Sequence, residues 1–120
     1  MVVHNTGLCN FLKSQFNIYS GWHKTHPDNW LDVNKVNDFM QKMLNNDPLI
    51  YSQPIYTTTH NGKTYLIDGH HRLKAAINLK SQQGIHVELQ HSNIHPDNIN
   101  AVSPYKSINE LIQNSYLPND

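Results

Sequence analysis

Asn61-Gly62 stands between two β-prone runs, Gln53-Pro54-Ile55-Tyr56-Thr57-Thr58-Thr59 and Lys63-Thr64-Tyr65-Leu66-Ile67. Both turn residues tolerate positive φ, which tight hairpin turns demand, so the dipeptide predicts an antiparallel hairpin. The second run then meets Asp68-Gly69, and a helical period begins at once. Leu73, Ala76, Ile77 and Lys80 fall on one face of a helix over about 70–80, with Gly84 just past its end. A hairpin that passes through one glycine into a helix commits the chain to a sheet with a helix laid against it.

The flanking segments fit that plan. Val33, Val36, Met40, Met43 and Leu44 recur at helical spacing over about 31–45, and Asn45-Asn46-Asp47-Pro48 closes the helix. Met40 and Met43 are expected in its core. Upstream, Pro27 suits a first helical turn and Asp28 or Asn29 a cap. Ile85-His86-Val87-Glu88-Leu89 alternates apolar and polar residues, which predicts a strand with Glu88 facing outward. A last helix is expected from Ser107, with Ile108, Leu111 and Ile112 inward. Leu8, Phe11, Leu12, Phe16 and Ile18 suit a short amphipathic helix. The order helix, hairpin, helix, strand, helix is an α+β layout in a single domain, the size expected for 120 residues. His-Pro-Asp-Asn occurs twice, at 26–29 and 95–98, and reads as two capping segments.

Charge narrows the partners. Nine Lys plus Arg balance nine Asp plus Glu, so no basic field exists to hold a nucleic-acid backbone over a long contact. The nine histidines would make the protein positive if part of the set were protonated between about pH 5 and 7. One cysteine, Cys9, excludes an intramolecular disulfide and a cysteine-only zinc site, and a reducing cytoplasm is the expected compartment. The opening residues lack the pattern of a signal peptide and no window approaches a membrane span, so no membrane partner is expected.

The chemistry concentrates in Asp68-Gly69-His70-His71-Arg72. Where a strand ends and a glycine turn opens a helix, unpaired N–H groups and the positive end of the helix dipole aim at one spot, which suits phosphate. Arg72 is the sole arginine and lies in the first helical turn, where a cation is disfavoured unless an anion is near. Its guanidinium could grip two phosphate oxygens while His70 and His71 donate or move protons. The two histidines should diverge by about 100° around the helix axis and so do different jobs. The plainer alternative makes Asp68 a cap, Gly69 a turn residue and the histidines a polar rim. Asp68 could also hold Mg²⁺ jointly with substrate phosphates. His23 and His26, or His86, His91 and His95, offer imidazoles for a divalent metal but lack matching carboxylate or cysteine spacing. Trp22 and Trp30 are expected to be buried beside the first helix, with base stacking as the alternative.

From Gln53-Pro54-Ile55 through Asn61-Gly62 to Asp68-Gly69-His70-His71-Arg72-Leu73-Lys74-Ala75-Ala76 and Ile85-His86-Val87-Glu88, the chain resembles the ParB/sulfiredoxin-like (ParB-like nuclease) domain family. The resemblance spans about 31–90, leaving 1–30 as an unassigned extension packed on the domain and 91–120 as a C-terminal loop and helix of the same domain. It implies a small mixed sheet with a hairpin and flanking helices, and phosphate contacts from Gly69, His70, His71 and Arg72. The Asp-Gly-His-His-Arg form is most similar to members that handle ATP or ADP. That likeness implies phosphoryl transfer or NTP hydrolysis, with ATP or another NTP and Mg²⁺ as cofactors, Asp68, His70 and His71 acting in the reaction, and a small-molecule acceptor. Sulfiredoxins carry a cysteine where Gly69 stands, so sulfinic acid reduction is not expected. With roughly thirty residues after 85–89, the DNA reader and the dimerisation region of the partitioning proteins are not both expected. The alternatives are a nuclease, as a toxin module with an immunity protein as partner, and a non-catalytic nucleotide-binding module. Nucleic acid is not favoured by the charge balance.

Overall fold

The computed structural model describes residues 21–118. The helix expected over Leu8–Ile18 and the single cysteine, Cys9, lie outside the described residues. Among the described residues three helices, three strands and three 3-10 turns follow one another. They are a turn at Asp28–Trp30, α1 at Val33–Leu44, a turn at Pro48–Tyr51, β1 at Ile55–His60, β2 at Lys63–Asp68, α2 at His70–Gln83, β3 at His91–Asn93, a turn at Pro96–Ala101 and α3 at Ile108–Gln113. The protein is a small α+β domain with a mixed sheet of order β2-β1-β3, in which β1 runs antiparallel to β2 and parallel to β3.

The hairpin forms at Asn61-Gly62, with φ of 52° and 77°, both in the left-handed region that glycine and asparagine reach most easily. Its register pairs His60 with Lys63, Thr59 with Thr64 and Thr57 with Leu66, and shifts by one residue between Tyr56 and Thr57. Successive side chains point to opposite faces, and each face carries its own core. Ile55 and Leu66 pack with Val36, Met40 and Met43 of α1 and Leu73, Ala76 and Leu79 of α2. Tyr65 and Ile67 face the other way, onto Ile99 and the fully buried Leu111 of α3. Ser107 caps α3 by accepting from the Glu110 N–H at 3.2 Å, and Ile108 and Ile112 pack half-buried against that second core.

Four expectations need correction. Asp28 and Asn29 do not start α1: Pro27-Asp28-Asn29-Trp30 makes one 3-10 turn, Leu31 is extended, and Asp32 is the cap, accepting from Asn34 N at 2.9 Å and Lys35 N at 3.4 Å. Val33 and Leu44, at the two ends of α1, stay exposed, so the buried stripe narrows to Val36, Met40 and Met43. Residues 85–89 are not a strand. Val87 and Leu89 are buried and Glu88 exposed as the alternation required, but they pack into the core of α1 and α2 and join no ladder; β1 pairs instead with His91–Asn93. Period-2 burial reports which side chains turn inward, not whether the backbone bonds a neighbour. Trp22 is buried as expected, but Trp30 is 49% exposed.

The segment before α1 closes the free edge of β2. His23 N donates to Thr64 O at 2.9 Å and His23 O accepts from Leu66 N at 2.7 Å, while Lys24 O accepts from Tyr116 N at 2.7 Å. This pairing carries residues 25–32 across the start of α2. No helix among the described residues is long and apolar enough to cross a membrane.

Candidate functional site

β2 delivers Asp68 to the surface, where its carboxylate is exposed and has no hydrogen-bond or ion-pair partner among the described residues. Gly69 follows with φ 107° and ψ 22°. A side chain here would overlap that of Ile55, whose Cβ would lie 2.9 Å from the added carbon. The glycine is thus required twice, by its backbone angle and by the close approach of β1. It gives α2 no side-chain cap. The first intrahelical bond runs from Leu73 N to Gly69 O at 2.8 Å, and the N–H groups of the first turn are left for another acceptor.

The two histidines diverge as helical geometry demands. His70 turns inward, 7% exposed, and its Nε2 accepts the backbone N–H of Thr25 at 3.1 Å. Burial above all, then the charges of His26, Lys24 and His71, pull its pKa down to about 3. It is therefore neutral at pH 7, and since Nε2 accepts, its proton sits on Nδ1. His71 turns outward, and its Nε2 accepts the backbone N–H of Asp32 at 3.1 Å. Partial burial and Lys35 lower its pKa, against a smaller opposing pull from Asp32. Each imidazole thus clamps one point of the segment that precedes α1. Arg72 donates from Nη1 to Gln53 O and from Nη2 to Pro54 O, the latter at 3.3 Å. Two of its five N–H donors are occupied by those carbonyls.

Around this helix start His70 and His71 meet two further rings, His26 and Trp30, the latter one of the two indoles for which base stacking is the alternative to burial. His26 stacks on Trp30 with centroids 3.6 Å apart and planes 10° apart. Trp30 lies 5.2 Å from His71 and 6.0 Å, edge-on, from His70; His26 meets His70 edge-on at 5.0 Å. Both belong to the first His-Pro-Asp-Asn copy or its next residue. The second copy behaves as a cap, with His95 Nδ1 accepting from Asp97 N at 3.1 Å, whereas in the first copy the histidine stacks instead. The repeat was the available signal, but only the fold reveals which copy meets α2. Asp28 binds Lys24 at 3.4 Å and Lys74 at 3.6 Å beside these rings. The cavity they enclose with His26 and His70 holds about 10 Å³, room for one water at most, and Trp30 and His71 lie outside its lining.

The remaining histidines are dispersed. His23 lies against Tyr65 at 4.9 Å and His91 against Trp22 at 4.9 Å, and no three His, Cys, Asp or Glu side chains converge among the described residues. Asp68, His70, His71 and Arg72 share one helix start, but His70 is withdrawn into the interior and neither histidine bonds Asp68. The chain matches no protein-family model, no curated protein and no solved structure.

Proposed function

We propose that the start of α2 binds the phosphates of a nucleotide and that the chain is a ParB/sulfiredoxin-like domain acting in phosphoryl transfer or NTP hydrolysis. One observation carries this reading: an uncapped fourteen-residue helix opens beside a half-exposed indole that is locked in place by His26. The free N–H groups and the helix dipole favour an anion, and the open side of Trp30 offers a base a flat surface to stack on. Asp68, exposed and unpaired, is the carboxylate to hold Mg²⁺ together with substrate phosphates, an ion that would neutralise charge on the transferred group.

The chain's own groups then divide the work. His71, with Nε2 held by Asp32, directs its Nδ1–H outward as a donor, and the N–H groups of Arg72 not bound to Gln53 and Pro54 add charge-assisted bonds. His70 positions the Thr25 segment and through it the Trp30 wall, and it touches no ligand. A neutral His71 suits a hydrogen-bond donor rather than a fixed cation, and with Nε2 engaged by the Asp32 N–H it has no free lone pair to act as a base. Incubation with ATP, CTP, DNA or RNA, with and without Mg²⁺, tests the class of reaction. Mg²⁺-dependent release or transfer of phosphate from a nucleotide is expected. Cleavage of DNA or RNA with nucleotides untouched would replace this reading with a nuclease, and nucleotide binding without turnover would leave a binding module.

A further inference from the structure

A second concavity lies at the opposite end of the hairpin. Ile55, Thr57 and Thr59 share a face with Leu66 and Thr64 across the β1–β2 register, and with His91 and Asn93 across the parallel β1–β3 register. On that face Ile55, Thr57 and Leu66 are fully buried, and Thr59 is exposed. Beyond Thr57 the apolar residues give way to threonine and asparagine, and an open groove of about 470 Å³ is lined by Trp22, Thr59, Lys63, Thr64, His91 and Asn93, among others. That volume lies in the range of small-molecule sites, roughly 300–1,000 Å³. Thr64 is four residues from Asp68 along β2, about 13 Å at the rise of a strand, so the groove and the start of α2 are separate.

The groove's hydrogen-bonding groups are pre-set. Asn93 Nδ2 donates to Thr57 Oγ1 and to Thr59 Oγ1, both at 3.0 Å, which uses both amide hydrogens and leaves Oδ1 as an acceptor. The hydroxyls of Thr59 and Thr64 lie 3.3 Å apart; one donates to the other, and one hydroxyl hydrogen remains for a ligand. His91 is fixed by Thr57 Oγ1 on one side and by the Trp22 ring on the other, and forms a flat wall. Partial burial of the ring lowers its pKa, although the residue as a whole is exposed. Lys63 also lines the groove, although its side chain leaves β2 on the face opposite Thr64; it makes no ion pair with any described residue, and no Asp or Glu lines the groove. An acceptor, a hydroxyl donor, an aromatic wall and one uncompensated ammonium together match neither a cation nor an apolar ligand.

We propose that this groove binds a small polyhydroxylated molecule carrying one anionic group, a sugar phosphate or a sugar acid, with Thr59, Thr64 and Asn93 on its hydroxyls and Lys63 on its charge. Saturation-transfer NMR and calorimetry on the full chain, with glucose 6-phosphate, gluconate, glucose and inorganic phosphate as probes, test it. One of the two anionic sugars should bind at least about tenfold more tightly than glucose and inorganic phosphate, and which one does identifies the anionic group. Lys63→Gln and Thr64→Val should each weaken that binding at least about fivefold, while His71→Ala at the other site leaves it unchanged. Lys63 flanks an exposed turn, so its variant keeps the fold. The proposal is overturned if none of the four probes binds, if inorganic phosphate or glucose binds as well as the anionic sugars, or if the affinity responds to His71→Ala and not to Lys63→Gln.

Discussion

The backbone N–H of Thr25 donates to Nε2 of His70 at 3.1 Å, across 45 residues of sequence, and this bond holds the segment bearing His26 and Trp30 against α2. The bond exists only while His70 is neutral. In the unfolded chain position 70 takes up a proton near pH 6.5, whereas the folded chain refuses it until about pH 3. The unfolded state therefore binds more protons between those values, so stability is fully present above about 6.5 and is lost as pH falls through that window. His70 can remove at most about 1.4 kcal/mol per pH unit, and partial burial lowers the pKa of His26 and His71 in the same direction. Urea midpoints should drop between pH 7 and pH 5. His70→Gln, whose amide oxygen can still accept from Thr25, should flatten that drop while costing about 1 kcal/mol at pH 7. An unaltered pH slope in this variant would contradict the role of His70.

Two glycines with positive φ should respond differently to alanine. At Gly62, φ is 77° and nothing lies within 4 Å of an added carbon, so the cost is one of backbone alone, about 1 kcal/mol. At Gly69, φ is 107° and the added carbon meets the Ile55 side chain, so backbone strain and overpacking combine to about 2 kcal/mol or more. Denaturant unfolding of the two variants should rank them in that order. Equal costs would mean that β1 does not press on the turn.

Arg72 is predicted to be structural as well as ligand-binding. Lysine keeps the charge but cannot span the carbonyls of Gln53 and Pro54 with a planar fork. Arg72→Lys should therefore lower stability by about 1 kcal/mol in the absence of any ligand. A melting temperature equal to that of the wild type would show that the two carbonyl bonds add nothing to the fold.

Local chemistry made most elements legible in the sequence. Asn61-Gly62 marked the turn, the period of Val36, Met40 and Met43 marked α1, and Gly84, with φ 69°, lies just past α2, which runs to Gln83, three residues beyond the expected end at about 80. What could not be read depended on partners far along the chain. His91–Asn93 is polar and three residues long, yet it is the strand, because Ile55 N finds Gln90 O at 2.8 Å and β1 continues from there. Asp28 and Asp32 are equally good caps in isolation, and the extended Leu31 between them decides the matter. The site was half legible. The divergence of His70 and His71 follows from helical period, but which of them would be buried depended on where Thr25 lies. Trp30 gains little by burial when His26 already covers one of its faces.

Nucleotide binding at the start of α2 is tested most directly by calorimetric titration of ATP with Mg²⁺ into the wild type and into Trp30→Ala, His71→Ala and Arg72→Ala, with circular dichroism to verify that each variant is folded. The wild type should bind. Trp30→Ala should lose about 1 to 3 kcal/mol, the scale of one base stacked on an aromatic ring, and Arg72→Ala about 1.5 to 3 kcal/mol, the scale of a charge-assisted hydrogen bond. His71→Ala should lose about tenfold in affinity, or 1.4 kcal/mol. No binding by the wild type, or folded variants that bind as tightly as it does, would contradict the assignment and reduce Asp68-Gly69-His70-His71-Arg72 to a turn that starts a helix.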